Sequence, residues 1–357
     1  MKSPVHFIAS EAADGLPETA EKLRRLLQAS RVLDCAAARD AVAVKLHFGE
    51  QGNTGFVPPP LLRVVTEALK ARGAKPFLSD TNTLYTGRRT NSADHLRLAH
   101  EHGFTPEAVA AEVVIPDDTR PENVQAVALG GRYIKTARVA RVFARADALV
   151  GVAHFKGHLM CGFGGALKNV GMGCATREGK MAQHSDVSPM VLEKSCTGCG
   201  ACADVCSAQA ISLDEGRSVI DAALCVGCAS CLAACPEGAI QVRWEAGGDV
   251  IQEKMAEYAQ AVLAAKKGKT AFLNFCLKIT AECDCLAKDD PRLVPDLGVL
   301  ASADPVALDQ ACYDLVVQTA GRDVFQAAHP RRDGSKQLRH AEEIGLGSRD
   351  YELIKVG

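Results

Sequence analysis

The stretch "ALVGVAHFKGHLMCGFGGALKNVGMGC", residues 148–174, decides how the chain is read. Its first seven residues, "ALVGVAH", form a nearly unbroken apolar run ending in His154, the pattern of a strand buried on both faces. The run cannot continue, because "CGFGGALKNVGMG" (161–173) holds five glycines. Each glycine weakens a helix or strand by roughly 0.5–1 kcal/mol relative to alanine. A buried strand that opens into a glycine-rich loop is a unit of an open α/β sheet, where ligands sit beyond the carboxyl ends of the strands. Glycine also lets backbone N–H groups turn toward an anion. Gly162, Gly164, Gly165, Lys168 and Asn169 are therefore candidate cofactor-binding residues. The stretch is neither a G-x-x-x-x-G-K-[ST] loop nor a G-x-G-x-x-G turn.

Working outward, strand and helix patterns alternate. "AVAVKLHF" (41–48), "AKPFLSD" (74–80), "TAFLNFCL" (270–277) and "DLGVLAS" (296–302) predict strands. "PPPLLRVVTEALKARG" (58–73) predicts a helix started by proline and stopped by glycine. "NSADHLRLAHEHG" (91–103) predicts a helix capped by Asn or Ser, and "TARVARVFARAD" (136–147) and "VIQEKMAEYAQAVLAAKKG" (250–268) two more. Asp304-Pro305 caps and starts a further helix over 305–321. The alternation predicts an α/β fold, a three-layer arrangement around a mostly parallel sheet.

One segment breaks the alternation. "CTGCGACADVC" (196–206) and "CVGCASCLAACP" (225–236) are each C-x2-C-x2-C-x3-C, with "SAQAI" and "PEGAI" as matching tails. This is the double-cluster ferredoxin spacing, in which three cysteines of one run and the fourth of the other hold each [4Fe–4S] cube. Zinc is less suited, since four-cysteine zinc sites come as two CxxC pairs. The rule assigns Cys196, Cys199, Cys202 and Cys235 to one cluster, and Cys225, Cys228, Cys231 and Cys206 to the other. The first run ends in Cys206-Ser207 where the motif has Cys-Pro, which alters the turn but not the ligands. The expected organisation is an α/β domain in two parts, 1–188 and 245–357, interrupted by an inserted α+β ferredoxin domain at 189–244.

Composition narrows the classes. A chain of 357 residues, 47% hydrophobic and 24% charged, is ordinary globular material long enough for two or three domains. A net charge of −2 leaves no electrostatic footprint for nucleic acid or an anionic membrane. No apolar run approaches the ~20 residues of a membrane span. The start, "MKSPVHFIASEAADGLPETAEKL", is not a signal peptide. Fifteen cysteines then argue for metal or redox chemistry in a reducing compartment, so a cytoplasmic protein of an anaerobic or microaerobic lifestyle is expected.

Three residues on the glycine-rich stretch and its continuation are candidates for catalysis. Lys168 sits in an apolar context where desolvation would lower its pKa and make its amine a nucleophile. His158, ten residues before it, and His184, sixteen after, would supply a neutral proton acceptor or ligand. A further group, Cys276, Cys283 and Cys285, could chelate a metal if the chain there is extended, because residues i and i+2 then share a face. Cys35, Cys161, Cys174 and Cys312 read as packing residues.

With "VKLHFGEQGNTGFVPP" (44–59), "SDTNTLYTGRRTN" (79–91), "HFKGHLMCGFGGALKNVGMGC" (154–174), "ECDC" (282–285) and "ASADPVALD" (301–309), the chain resembles the domain-of-unknown-function 362 family in its iron–sulfur form. The stretch around Lys168 also resembles the nickel-pincer lactate racemase family. That resemblance implies His158 as an acid/base, Lys168 as the anchor of a pincer cofactor and His184 as a nickel ligand. The racemase arginine before the lysine is Leu167 here, and the first strand loop is replaced by "HFGEQGNTG" (47–55). The position of the second acid/base histidine falls near Thr83, with His95 nearby. Lactate racemisation is therefore not implied. The expected function is an iron–sulfur oxidoreductase passing electrons between two [4Fe–4S] clusters and a small molecule or an organic cofactor, flavin or nickel-pincer in type, with a redox protein as partner. The alternatives are an electron-transfer scaffold with no small-molecule site, or a nickel-pincer-like or flavin-dependent enzyme whose clusters serve maturation.

Overall fold

The computed structural model describes residues 2–85, 87–184, 188–243 and 250–357. Among these, eight strands form one sheet in the spatial order Tyr351–Lys355, Ser3–Ala9, Gly298–Ser302, Thr270–Cys276, Ala148–His154, Ala41–Lys45, Lys75–Ser79, Glu112–Val114. Every neighbouring pair is parallel except the two made by Gly298–Ser302. That strand follows Thr270–Cys276 through a connection with no helix, so the chain returns along the same edge and must run antiparallel.

Alternate residues of each strand enter different cores, which makes three layers. Val42, Val44, Val150, Leu273 and Phe275 face Leu23, Leu26, Leu61 and Leu62 of the helices Leu16–Ser30 and Pro59–Ala71. Ala43, Leu149 and Phe272 face Leu167, Ala256, Ala259 and Leu308 of the helices Ala166–Gly171, Ile251–Leu263 and Pro305–Ala320. Asp304 caps the last of these, its carboxylate accepting the N–H groups of Val306 and Ala307 at 2.8 and 3.0 Å.

One predicted helix is half a strand. Thr136–Ala140 pairs antiparallel with Val124–Ala128, and only Arg141–Arg145 is helical. Ala137 and Val139 point into the core while Arg138 points out, so over these five residues the strand period competes successfully with the helical one. The terminal strands Ser3–Ala9 and Tyr351–Lys355 carry no pattern read above; they pair with each other at the far edge.

From 188 to 243 the chain builds two short hairpin-like pairs, Met190–Val191 with Ile240–Gln241 and Ile211–Asp214 with Arg217–Ile220, and two one-turn helices, Ala201–Asp204 and Ser230–Ala234. Cys202, Cys231, Leu232, Ile240 and Val242 form a small separate core with Leu84 and Met181 of the α/β part. The expected boundary at 244/245 lies outside the described residues.

Candidate functional site

From Ala41–Lys45 the chain leads outward to Lys75–Ser79, and from Ala148–His154 it leads the other way to Thr270–Cys276. The two neighbours therefore splay their connections apart, and the crevice beyond their carboxyl ends is where open α/β sheets bind ligands. Four loops meet there: 46–58, 80–91, 155–184 and 277–297.

Lys45 closes the floor. Its Nζ is 3.0 Å from Asp80 and donates to the Asn169 side-chain oxygen at 2.9 Å. Asn169 in turn donates its amide to the backbone oxygens of Lys45 and Val152, at 3.0 and 3.2 Å. The side chain of Asn169 thus bolts the two strand ends together. Despite burial, Lys45, His47, His95 and Arg89 hold the Asp80 carboxyl well below the usual range. Asp80 Oδ2 and His95 Nε2 are both buried without a hydrogen-bond partner and lie 3.9 Å apart.

The glycine-rich stretch is a hairpin followed by a helix. Lys156–His158 pairs with Gly162–Gly164, Gly162 turning at φ 74°, and the helix Ala166–Gly171 follows. The N–H groups that open this helix, those of Ala166 and Leu167, donate at 2.7 and 2.9 Å to Asp309, which also accepts from Asn274. The anion met by these amides is the protein's own carboxylate. A Cβ on Gly165 would lie 2.2 Å from that carboxylate, which explains the glycine. Burial raises the Asp309 pKa to about 6.

His158, Lys168 and His184 lie within electrostatic reach of one another and of Cys285. His158 Nδ1 accepts the N–H groups of Met160 and Cys161 at 3.1 and 3.2 Å. Burial, with Lys168 beside it, pushes the His158 pKa well down, and the same two causes bring His184 to about 3. Both rings are neutral. Lys168 departs from the expectation: burial opposes its charge, but Cys285, Cys283, Cys161 and Asp284 raise its pKa above normal. It is an ammonium ion, not a nucleophilic amine. Burial does lower the pKa of Lys180, to about 8; it donates to the backbone oxygens of Asn82 and Ala175 at 2.7 and 3.2 Å. Nothing in the sequence marks Lys180.

The "ECDC" segment sits across the crevice. It is a turn, closed by Leu286 N–H donating to the Cys283 oxygen at 3.1 Å, rather than extended chain. Asp284 anchors it: its carboxylate lies 3.0 Å from His154 Nδ1 and 2.9 Å from Lys156 Nζ, and these two hold its pKa far below normal against burial. The turn brings the Cys283 and Cys285 thiols into hydrogen-bond contact. That contact, together with Lys168 and His47, holds Cys285 well below the usual thiol range, while the same contact and burial push Cys283 up. His47 Nε2 is 3.6 Å from Cys285 Sγ. Cys276 does not join them; it faces into the core and contacts the Cys312 thiol. A cleft of about 200 Å³ opens to solvent beside Asp284, between Asn53–Gly55 and the 278–292 loop.

The eight clustered cysteines divide between two cavities. Cys196, Cys199, Cys202 and Cys235 line one small hollow, and Cys206, Cys225, Cys228 and Cys231 line the other. Backbone N–H groups donate to three of the sulfurs: Ser218 to Cys196 at 3.4 Å, Ala210 to Cys206 at 3.2 Å and Ala239 to Cys235 at 3.2 Å. Among the described residues, no three His, Cys, Asp or Glu side chains converge tightly enough to chelate a single ion. The thiols surround a space instead.

Fold and site define an α/β protein with a polar, thiol-bearing crevice at the strand ends and a cysteine-rich segment packed beside it. Residues 42–314 match the family model described as Domain of unknown function (DUF362), and the chain belongs to that family. Its structure is similar to that of the lactate racemase apoprotein from Thermoanaerobacterium thermosaccharolyticum, with 14% identity and a TM-score of 0.39 over 78% of this chain and 51% of that one. It is also similar to a structural-genomics protein from Thermotoga maritima, with 12% identity and a TM-score of 0.47 over 86% of this chain and 60% of that one. The chain thus spans about half to three-fifths of those proteins' lengths. No curated protein matches it. Among the described residues, no helix is long and apolar enough to cross a membrane.

Proposed function

We propose that the chain is an iron–sulfur oxidoreductase that exchanges electrons between two [4Fe–4S] clusters and a small molecule bound in the crevice around His158, Lys168 and His184. The observation that carries this reading is the partition of the cysteines: each cavity takes three thiols from one run and the fourth from the other. Cys196, Cys199, Cys202 and Cys235 would hold one cluster, and Cys225, Cys228, Cys231 and Cys206 the second. What supports the fit is the donor set: four thiols line each hollow, and backbone N–H groups already donate to three of the sulfurs, as a cube's ligands require. When bound, the clusters supply one-electron transfer.

What joins them to the crevice is packing. Leu84 belongs to the 80–91 loop and Met181 to the helix Arg177–His184, and both enter the same small core as Cys202 and Cys231. The test is anaerobic purification with metal analysis and electron paramagnetic resonance. About eight irons per chain and two interacting S = 1/2 centres are expected on reduction. Cys206→Ser should cost the cluster that belongs to the second run. Stoichiometric zinc, four irons per chain, or loss of the other cluster in Cys206→Ser would each overturn the reading.

A further inference from the structure

The turn Cys283–Leu286 holds chemistry that neither the clusters nor the histidines account for. Two thiols two residues apart are in hydrogen-bond contact, one buried and one partly exposed. The exposed one, Cys285, faces His47 Nε2 at 3.6 Å and lies in the field of Lys168. Asp284, between them, is pinned by His154 and Lys156, so the turn cannot drift away from the crevice. The backbone oxygen of Asp284 also accepts from Glu50 N–H at 3.1 Å, which ties the turn to the loop carrying His47. Asp284, between the two thiols, lines a solvent-open cleft shared with Asn53–Gly55.

We propose that Cys283 and Cys285 are a redox-active dithiol, Cys285 attacking and Cys283 resolving, whose substrate is a low-molecular-weight disulfide. A lone nucleophile would not need a protonated second thiol against it, whereas thiol–disulfide exchange needs both.

The steps balance. The Cys285 thiolate attacks one sulfur of R–S–S–R, forming a Cys285–S–S–R bond and breaking the substrate S–S bond to release RS−. That thiolate takes the proton of Cys283. The Cys283 thiolate then attacks Cys285 Sγ, forming the Cys283–Cys285 disulfide and releasing the second RS−. Two electrons and one proton restore the starting pair. Their source is a one-electron iron–sulfur donor used twice, and in this respect the inference rests on the proposed function. Lys168 stabilises the attacking thiolate, which gives the raised lysine a role.

The two readings are separable in one experiment on the full chain, purified anaerobically and freed of reductant. Bis(2-hydroxyethyl) disulfide is added, and thiols are mapped by peptide mass spectrometry while iron is counted on the same sample. The wild-type chain should gain a Cys283–Cys285 disulfide. Cys283→Ser should stop at a mixed disulfide on Cys285, and Cys285→Ser should form neither. In the untreated chain Lys168→Met should slow iodoacetamide labelling of Cys285 at pH 6 by about ten-fold with iron content unchanged, since one pKa unit is a tenfold change in thiolate. Full iron with Cys283 and Cys285 still free after treatment overturns the dithiol alone. Dithiol exchange in a chain that binds no iron overturns the iron–sulfur reading and leaves the thiol chemistry standing.

Discussion

Lys168 and Asp309 show how far a residue's chemistry depends on neighbours that are remote in sequence. Lys168 was expected to lose its proton through burial, yet the thiols at 283 and 285 and the carboxylate at 284 reverse the sign. Asp309 lies more than 140 residues from the amides it accepts, and it closes the helix start that glycine leaves open. Asp309→Asn turns one acceptor into a donor facing those amides. It should cost about 2 kcal/mol at pH 7, the usual penalty of an unsatisfied buried group, measured by denaturant unfolding. Burial raises its folded pKa to about 6, above the usual carboxylate range, so its protonated form is favoured in the fold. That contribution is complete below pH 4 and is lost as pH rises through 6, a change of about 3 kcal/mol. Comparing wild type with Asp309→Asn at pH 4 and pH 6.5 isolates it. An unchanged difference between the two at both pH values would show that the carboxylate keeps its ordinary pKa.

At the scale of elements, close approach explains the glycines better than ligand contact does. A Cβ on Gly171 would lie 2.2 Å from the backbone oxygen of Met255, where the helices Ala166–Gly171 and Ile251–Leu263 cross. A Cβ on Gly162 would lie 2.6 Å from the Gly334 backbone, at a φ of +74°. Gly171→Ala should therefore push two helices apart and cost about 1–3 kcal/mol, the range for overpacking a tight core. Gly173→Ala would meet the Asn169 oxygen but also the flexible end of Lys45, so it strains the crevice floor directly. Thermal melts of the two variants check both costs: Gly171→Ala lowers stability by separating two helices, and Gly173→Ala by disturbing the Lys45–Asp80 pair. The segment 136–147 teaches the same lesson from the other side. Its apolar positions satisfy both periods, and the partner strand Val124–Ala128 is what selects the strand.

For the whole molecule, the seam between the cysteine-rich segment and the α/β part is narrow and apolar. Met181 is 1% exposed and Leu84 6%, so each is almost wholly buried in a core that contains only a handful of other side chains. Met181→Ala should destabilise that core by about 2–4 kcal/mol, as large-to-small substitutions do, with the main sheet spared. Hydrogen exchange should rise over 188–243 and stay low over 148–154 and 270–276. Equal loosening of both regions would mean that the segment and the sheet unfold as one unit.

The sequence alone determined the strand and helix alternation, the buried strand at 148–154 and the fourfold cysteine beat, because each is a local pattern of hydrophobicity or spacing that a few neighbouring residues express. It also placed His158, Lys168 and His184 on one stretch. Tertiary structure decided what those residues are. The ionisation of Lys168 and Lys180, the owner of the helix-opening carboxylate, the separation of Cys276 from Cys283 and Cys285, and the turn that pairs the latter two all arise from contacts between loops of different strands. Electrostatic shifts and close packing depend on distances in space. Those distances exist only once the parallel sheet has gathered its carboxyl ends into one crevice.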